Sequence, residues 1–451
     1  MPARLPYHAH ARALLVLGLP LIGSHVAQMA LHVTDTVMLG WYGVLPLAAG
    51  VLGASSFFLL FMLGSGFAHA VMPLVAAAMG AGDETRVRRD TRMGLWLSIG
   101  YGAAIYPVFW FSGPLLLALG QDAQVSALAQ DYLRIAGLGM VPALMVMVLR
   151  SWLSALEHTR VVLAVTLLGV AVNAALNWAL IFGNWGAPEL GLAGAAVASV
   201  LVQVVTLVAV AGYGALHPGL RRFRILQRLW RPDWPAMRLV FRLGWPIGLT
   251  SLMEGGLFHA AALMMGWIGT VELAAHGIAL EITAVTFMIH VGLSNAATIR
   301  TGRAEGEGDA RALRDGAAVA LVLSQGIGLF IIATFVLAPE PLIRLFLDMG
   351  DPDAGRIVAY GSLLLLCAAA FQVADAAQVM ALGLLRGIRD TRVPMLIAAL
   401  CYWVIGIPAS YGMAFGLGWG GVGLWLGLVL GLSLTAAALL VRFWMRAPRV
   451  A

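Results

Sequence analysis

The stretch GLPLIGSHVAQ at residues 18–28 returns in altered form as GWPIGLTSLME at residues 244–254, an offset of 226 positions. Further matches at this offset are Gly40 with Gly266, Gly66 with Gly292, and Gly82-Asp83 with Gly308-Asp309; at an offset of 232, Thr159-Arg160-Val161 matches Thr391-Arg392-Val393. A repeat of this length covers half the chain. It predicts two halves of the same fold, related by duplication.

The composition is that of a membrane protein. Of 451 residues, 61% are hydrophobic and only 11% are charged, whereas soluble domains carry about 25% charged residues. Many apolar runs reach the roughly 20 residues that cross a bilayer. The sequence predicts twelve spans, near 13–38, 47–72, 93–119, 131–155, 161–184, 191–214, 240–266, 274–298, 316–338, 357–383, 393–416 and 420–444.

The arginines set the orientation of these spans. All 28 basic residues are arginine, and 25 of them fall on one side of the predicted membrane; the other three are Arg134, Arg344 and Arg356. The positive-inside rule places both termini in the cytoplasm. The arginines lie in short loops between spans, so they do not indicate a nucleic-acid partner. The basic start MPARLPYHAHAR is interpreted as preceding a retained first span and not a cleaved signal, because the apolar run is too long and contains Asp35.

The predicted fold is therefore all-α and polytopic, with twelve transmembrane helices in two parallel six-helix repeats that form two lobes. An even number of spans returns the chain to its starting side, so both halves have the same orientation. We expect an N-terminal lobe at 1–214, a basic cytoplasmic linker at 215–238 and a C-terminal lobe at 239–451. In transporters, such halves rock against each other around a site near the membrane midplane.

Four of the 22 carboxylates fall well inside predicted spans: Asp35, Glu254, Glu281 and Asp375. Each costs about 3 kcal/mol at mid-membrane, so protonation, a bound cation or a water-filled cavity must offset them. The repeat pairs them with Ala261, Gln28, Ser55 and Ala143 respectively. Because no acid recurs in the other half, we interpret them as serving local chemistry and not a shared scaffold. For each, the alternative is a protonated acid bonded inside the bundle, and Glu281 is equally interpreted as lying near its helix end.

Polar side chains share helix faces with these acids. His25, Gln28, His32 and Asp35 are spaced by three, four and three residues, which places them on one face of helix 1. Asn173 and Asn177 are spaced i,i+4 on helix 5, where such amides also serve as glue between membrane helices. Gln372, Asp375 and Gln378 form a polar stripe on helix 10.

Four stretches carry a resemblance to a known family: AQMALHVTDTVMLG at 27–40, ELAAHGIALEI at 272–282, LSNAATIRTGRAEGEGD at 293–309 and FQVADAAQVMALGLLRGIRDTRVP at 371–394. Over essentially its whole length, the chain resembles the multidrug and toxic compound extrusion (MATE) transporters, and within them the NorM-type branch. The resemblance implies a transporter of the bacterial inner membrane, without a cofactor, that exports drug-like cations in exchange for protons or sodium ions and works as a monomer in the bilayer.

The resemblance also implies roles by position. Asp35 matches the helix 1 acid of the family, Glu254 and Asp375 the acids of helices 7 and 10 that are assigned to cation coupling, Asn173 and Asn177 an amide pair on helix 5, and Phe287 an aromatic residue near the cation. We expect cation coupling at Glu254, Asp375, Asp35, Asn177, Asn173 and Glu281, with sodium as a candidate ion at Glu254 and Asp375. We expect the substrate cavity at Asp35, Gln28, His32, Phe287, Phe371 and Gln378.

The chain departs from the family at several of these places. Phe371 stands where some relatives have a tyrosine, Glu281 stands where many have an uncharged residue, and the histidine stripe lies outside the family pattern. Glu281 and the histidines favour protons as the coupling ion, since histidine titrates near physiological pH. A sodium site of carboxylate and amide oxygens is the alternative.

Two other classes of function require features that the sequence lacks. A flippase for lipids or polysaccharide precursors predicts an arginine-lined cavity, whereas the spans are nearly free of arginine. An intramembrane enzyme requires a nucleophile with its base or a metal motif, and the sequence has no H-E-x-x-H, G-x-S-x-G or Cys/His cluster. We therefore expect a transporter and not an enzyme.

Overall fold

The computed structural model describes residues 6–450 except 226, 228, 348, 349 and 351. Its long helices are α1 (Tyr7–Tyr42), α2 (Val44–Gly80), α3 (Glu84–Trp110), α4 (Ala123–Ala155), α5 (Thr159–Phe182), α6 (Gly191–Leu216), α7 (Trp234–Ile268), α8 (Thr270–Glu307), α9 (Ala310–Leu337), α10 (Ala354–Gly387), α11 (Arg392–Gly416) and α12 (Gly420–Val450). No strand occurs in this described part of the chain.

These helices confirm the all-α membrane fold. Within the described residues, eleven are long and apolar enough to span a bilayer, and the number is twelve if α3 and Ser112–Ala118, which are bent by 62° at their junction, form one broken span and not a re-entrant segment. The helices run past the apolar windows that predicted them; α8, for example, continues to Glu307 instead of ending near 298. The added turns are polar, so hydropathy did not detect them, but they keep the helical hydrogen bonds.

The repeated Gly-Asp pair explains how α3 and α9 begin. Gly82 and Gly308 adopt φ of +70° and +69°, a left-handed conformation that glycine reaches without strain. The next residue caps the following helix: Asp83 accepts a bond from the Arg86 amide at 2.9 Å, and Asp309 accepts from two amides. The repeat therefore encodes the same turn in both halves.

The described chain forms two compact units. Unit 1 contains the N-terminal residues up to Ile22 and the chain from Thr250 onward, and unit 2 runs from Gly23 to Leu249. The divisions fall inside α1 and α7 within one residue of equivalent positions of the repeat: 22 plus 226 is 248, and the second division follows Leu249. Within unit 1 the first part of α1 packs on α8, and within unit 2 the first part of α7 packs on α2.

Glycine makes these two packing contacts close. A Cβ on Gly66 of α2 would lie 2.3 Å from both the Gly244 oxygen and the Gly248 nitrogen of α7. At the equivalent place in unit 1, a Cβ on Gly292 would lie 2.6 Å from the Ile22 nitrogen of α1. Membrane helices gain little from the hydrophobic effect, so small residues that let backbones approach are the main source of their packing energy.

One span departs from regular α-helical geometry. Within α11, Leu400–Gly406 and Gly412–Gly416 are π-helical. Pro408 lies between them and has no N–H, so it cannot donate a helical bond to the preceding turn. The wider π turns accommodate this loss, and such turns often mark functional sites in helices.

Candidate functional site

The helix 1 acid and the helix 5 amides meet in unit 2. Asp35 Oδ1 accepts hydrogen bonds from Asn173 Nδ2 at 2.9 Å and from Asn177 Nδ2 at 2.6 Å. Both asparagines are buried, and Asp35 is half-buried. They meet because Asn173 and Asn177 lie one turn apart on α5 and both face α1. The second Asp35 oxygen has no hydrogen bond within the described chain, so it remains available to a ligand.

The rest of the helix 1 stripe is more loosely held. His32 is exposed, and its ring packs edge-on against Phe58 with centroids 5.9 Å apart. Gln28 and His25 are half-buried. His25 lies about three turns before Asp35 on α1, within electrostatic range of His69 and Arg150. The stripe therefore shares a helix face; Asp35 alone forms hydrogen bonds with the asparagines, and His32 lies within electrostatic range of Asp35.

A second acidic cluster lies in unit 1, between α7 and α10. Glu254 Oε1 accepts a hydrogen bond from Gln378 Nε2 at 2.8 Å. Asp375 lies one turn before Gln378 on α10, within electrostatic range of Glu254, and is 0% exposed. Neither Asp375 oxygen has a hydrogen-bond partner in the described residues, and neither does Gln378 Oε1.

Sequence analysis missed two members of this cluster. The phenol of Tyr402, on α11, is 0% exposed and lies within electrostatic range of both acids, and its hydroxyl has no partner among the described residues. Arg386, on α10, lies within electrostatic range of Glu254. The sequence predicts Arg386 in the loop between helices 10 and 11, whereas α10 continues through it, two turns beyond Gln378. No sequence signal distinguishes Tyr402 from a packing residue of an apolar run.

Gln372, the first residue of the α10 stripe, points elsewhere. Its Nε2 donates to His290 Nε2 at 2.6 Å, and His290 Nδ1 lies 3.0 Å from the Ser324 hydroxyl. With this arrangement the His290 ring carries its proton on Nδ1. The Gln372 Oε1 accepts a hydrogen bond from the Thr286 hydroxyl at 3.2 Å. The network is buried and internally bonded, and it joins α8, α9 and α10 as polar glue.

Within the described residues, no hydrogen bond or ring contact joins the remaining predicted residues to either cluster. Glu281 is exposed on α8. Phe287 is half-buried. Phe371 is 1% exposed and packs between Phe258 and Trp425, with ring centroids 6.0 and 5.8 Å away. The structure therefore places Phe371 in the hydrophobic core of unit 1.

The two clusters differ in what they offer a ligand. In unit 2, the two asparagine N–H groups occupy one oxygen of a half-buried acid. Among the described residues, one buried oxygen of the unit 2 cluster, Asn177 Oδ1, has no hydrogen-bond partner, whereas unit 1 has four: the two of Asp375, Gln378 Oε1 and the Tyr402 hydroxyl. Buried polar atoms are nearly always satisfied, so these oxygens face a partner that is not part of the chain, and both water and a cation fit such acceptors. No cluster of three or more His, Cys, Asp or Glu side chains suited to a metal occurs in the described residues.

Comparison with known proteins places the chain in a family. The family model described as MatE matches residues 20–179 and 246–412. A curated relative from Rhizobium meliloti (strain 1021), named "Probable multidrug resistance protein NorM", is 47% identical over 441 residues, covering 98% of this chain and 94% of the relative. A relative of the same name from Agrobacterium fabrum is 43% identical and covers 98% of this chain and 95% of its own length.

Solved structures show the same fold. A MATE structure in complex with MaL6 superposes with a TM-score of 0.88 at 22% identity, covering 98% of this chain and 97% of the other. The eukaryotic MATE transporter AtDTX14 superposes with a TM-score of 0.87 at 19% identity, with 98% of each chain covered. The residues that match the MatE family model include every member of both acidic clusters. The chain belongs to the MatE family of membrane transporters, and it is a transporter and not an enzyme.

Proposed function

We propose that this protein is a multidrug efflux antiporter, which exports amphipathic, often cationic compounds in exchange for a cation that moves inward. The family and the names of its curated relatives support multidrug efflux. The observation that supports cation coupling is the set of four unsatisfied buried oxygens around Asp375.

We further propose sodium as the coupling ion. A proton on Asp375 would occupy one of its oxygens and could be donated to one further acceptor, whereas a sodium ion takes several oxygen ligands at once, as hard cations do. Glu254 adds a charged oxygen to the set, and Arg386 lies near enough to offset part of that charge when the site is empty. This departs from the preference for protons drawn from the sequence, which depended on Glu281, His25 and His32. Glu281 and His32 are exposed and His25 is half-buried, and none of them belongs to the set of unsatisfied oxygens around Asp375.

Exchange follows from two acidic clusters with different occupants. In this scheme a cationic drug enters from the cytoplasmic side and is held by Asp35 and by apolar side chains. Sodium arriving from the other side binds at Glu254 and Asp375 and favours the state that releases the drug. Because each ligand prefers a different state of the protein, their binding is coupled without direct contact.

The proposed setting follows the same reasoning. The lobes are 1–214 and 239–451, joined by the basic linker 215–238, and they rock against each other as each half moves. Both termini are cytoplasmic in the bacterial inner membrane, since 25 of 28 arginines lie on that side. Each monomer contains both acidic clusters, so a monomer suffices.

The test is ethidium efflux from proteoliposomes of the purified protein, under an imposed sodium gradient without a proton gradient, and then under the reverse. Efflux driven by sodium alone supports the proposal. Efflux driven by protons alone refutes sodium and returns the coupling to Asp35, the histidines and Glu281. If neither gradient drives efflux, the drug antiporter is refuted, and a lipid-flipping assay on the same vesicles tests the flippase.

A further inference from the structure

The Tyr402 hydroxyl is a buried polar group without a partner. It is 0% exposed, and no described residue accepts from it or donates to it. An unbonded hydroxyl in an apolar interior costs roughly 1–3 kcal/mol, so it is rarely left without a purpose. Phenylalanine would fill the same space without that cost.

The backbone around Tyr402 is unusual as well. Tyr402 lies in the π-helical stretch Leu400–Gly406, which Pro408 follows on the same helix. A π turn adds a residue to the helical circuit and so redirects the side chains within it. The irregular stretch and the unpaired hydroxyl therefore coincide at one residue.

Packing places this part of α11 against the helix that carries Glu254. The indole N–H of Trp403, the residue after Tyr402, donates to the backbone oxygen of Met253 at 3.3 Å. Met253 directly precedes Glu254 in the sequence. The Trp403 ring also covers Gly256, where a Cβ would approach it to 2.9 Å. These contacts fix α11 beside α7 at the level of the acids, in agreement with the electrostatic contact between Tyr402 and both carboxyls.

Resting on the proposed sodium coupling, we propose that Tyr402 is a further ligand of the cation site. Its neutral hydroxyl oxygen binds the ion beside Glu254, Asp375 and Gln378. A hydroxyl oxygen keeps two lone pairs while its proton points away, so it serves as a ligand without ionising. The aromatic residue one turn before Asp375 does not supply this oxygen, because Phe371 has no hydroxyl and packs in the core.

The test compares Tyr402→Phe with Tyr411→Phe, a matched change at an exposed tyrosine of the same helix. Sodium-driven ethidium efflux is measured over a series of sodium concentrations in proteoliposomes. We expect Tyr402→Phe to raise the half-saturating sodium concentration about tenfold, with the ethidium KM unchanged, and Tyr411→Phe to match the wild type. The variant loses no hydrogen bond within the described chain, so we expect it to fold.

A second readout separates binding from transport. Sodium should raise the melting temperature of the wild-type protein in detergent, because a ligand of the folded state stabilises it. Tyr402→Phe should need more sodium for the same rise, and without sodium it should melt at a somewhat higher temperature than the wild type, because phenylalanine avoids the cost of burying an unbonded hydroxyl. If Tyr402→Phe shows the same sodium dependence as Tyr411→Phe and the wild type, the role of Tyr402 is overturned and the sodium coupling is not. Wild-type efflux that does not respond to sodium overturns the coupling ion and this inference with it.

Discussion

Asp35 and Asp375 are both intramembrane aspartates, yet the protein treats them differently. Asp35 in unit 2 is half-buried, and two asparagine side chains donate to one of its oxygens. Asp375 in unit 1 is fully buried, and neither oxygen has a partner in the described chain. The protein itself stabilises the first acid. The second acid has no partner within the described chain, which suits an acid that binds a transported cation.

This difference suits a division of labour. An acid with permanent donors and one open oxygen can attract a cationic drug without closing around it. A fully buried acid among oxygens without a partner in the described chain can hold a small ion tightly, because electrostatic interactions strengthen away from bulk water. We therefore assign the drug to the Asp35 cluster and the ion to the Asp375 cluster. The following variants test that assignment.

The largest effect is expected for Asp375→Asn. The change removes a buried charge that would contact the ion, and such losses cost roughly 2–5 kcal/mol. The sodium concentration for half-maximal efflux should rise at least about 100-fold, or efflux should cease, while ethidium binding persists. The purified variant should also melt at a higher temperature in sodium-free buffer, because its amide is less costly to bury than an unpaired carboxylate.

Asp131→Asn serves as the control for Asp375→Asn, since Asp131 is an exposed acid that pairs with Arg134 on α4. It should behave as the wild type in both efflux and melting. Normal sodium-driven efflux by Asp375→Asn would remove the basis for placing the ion in unit 1.

Glu254→Gln should have the next largest effect. The substituted side chain keeps an oxygen that can accept from Gln378, so the local bond survives while the charge is lost. Glu254 is half-buried and keeps this partner, whereas Asp375 is 0% exposed and has none among the described residues. We expect the half-saturating sodium concentration in the efflux assay to rise about 30-fold, or roughly 2 kcal/mol. A larger loss than for Asp375→Asn would reverse the ranking of the two acids.

Asp35→Asn should change drug handling and leave the ion unaffected. The new amide still accepts from Asn173 and Asn177 but no longer attracts a cation. The KM for ethidium should rise about tenfold, equivalent to about 1.4 kcal/mol, with an unchanged half-saturating sodium concentration. Transport of a neutral substrate should be unaffected. If sodium dependence changes instead, Asp35 belongs with the coupling residues.

His32→Ala should have the smallest effect. The ring is exposed and contacts Phe58, and it takes no part in the Asp35 hydrogen bonds. Efflux rates measured from pH 6 to pH 8 should stay within about twofold of the wild type, as for most exposed substitutions. A pH profile that flattens in this variant would show that the histidine stripe titrates during transport.

Much of this architecture was predictable from the sequence, for identifiable reasons. Hydropathy and arginine placement depend on the bilayer as a solvent, which acts on each span separately, so the twelve helices followed. Spacing on single helices was also predictable, including Asn173 with Asn177. What the sequence did not show was contact between helices: the Asp35–asparagine cluster, the burial of Phe371 and the membership of Tyr402 all depend on packing of distant segments.

The internal repeat likewise predicted equivalent positions in the two halves but not the helices that pack on them. It predicted that Gly66 and Gly292 occupy equivalent positions, and the structure gives both a close helix packing contact. It did not show that Gly66 packs on α7 and Gly292 on α1, because the alignment compares positions and not neighbours. The predicted lobe boundaries at 214 and 239 likewise remain a prediction, while the contact-based units divide inside α1 and α7.

The most direct test of the assignment is sodium binding to the purified protein in detergent, without drug, for the wild type, Asp35→Asn and Asp375→Asn. The measurement isolates the ion site from transport and from the drug. The account predicts that Asp35→Asn binds sodium with wild-type affinity and that Asp375→Asn does not bind it measurably. Retained binding in Asp375→Asn together with lost binding in Asp35→Asn would contradict the account.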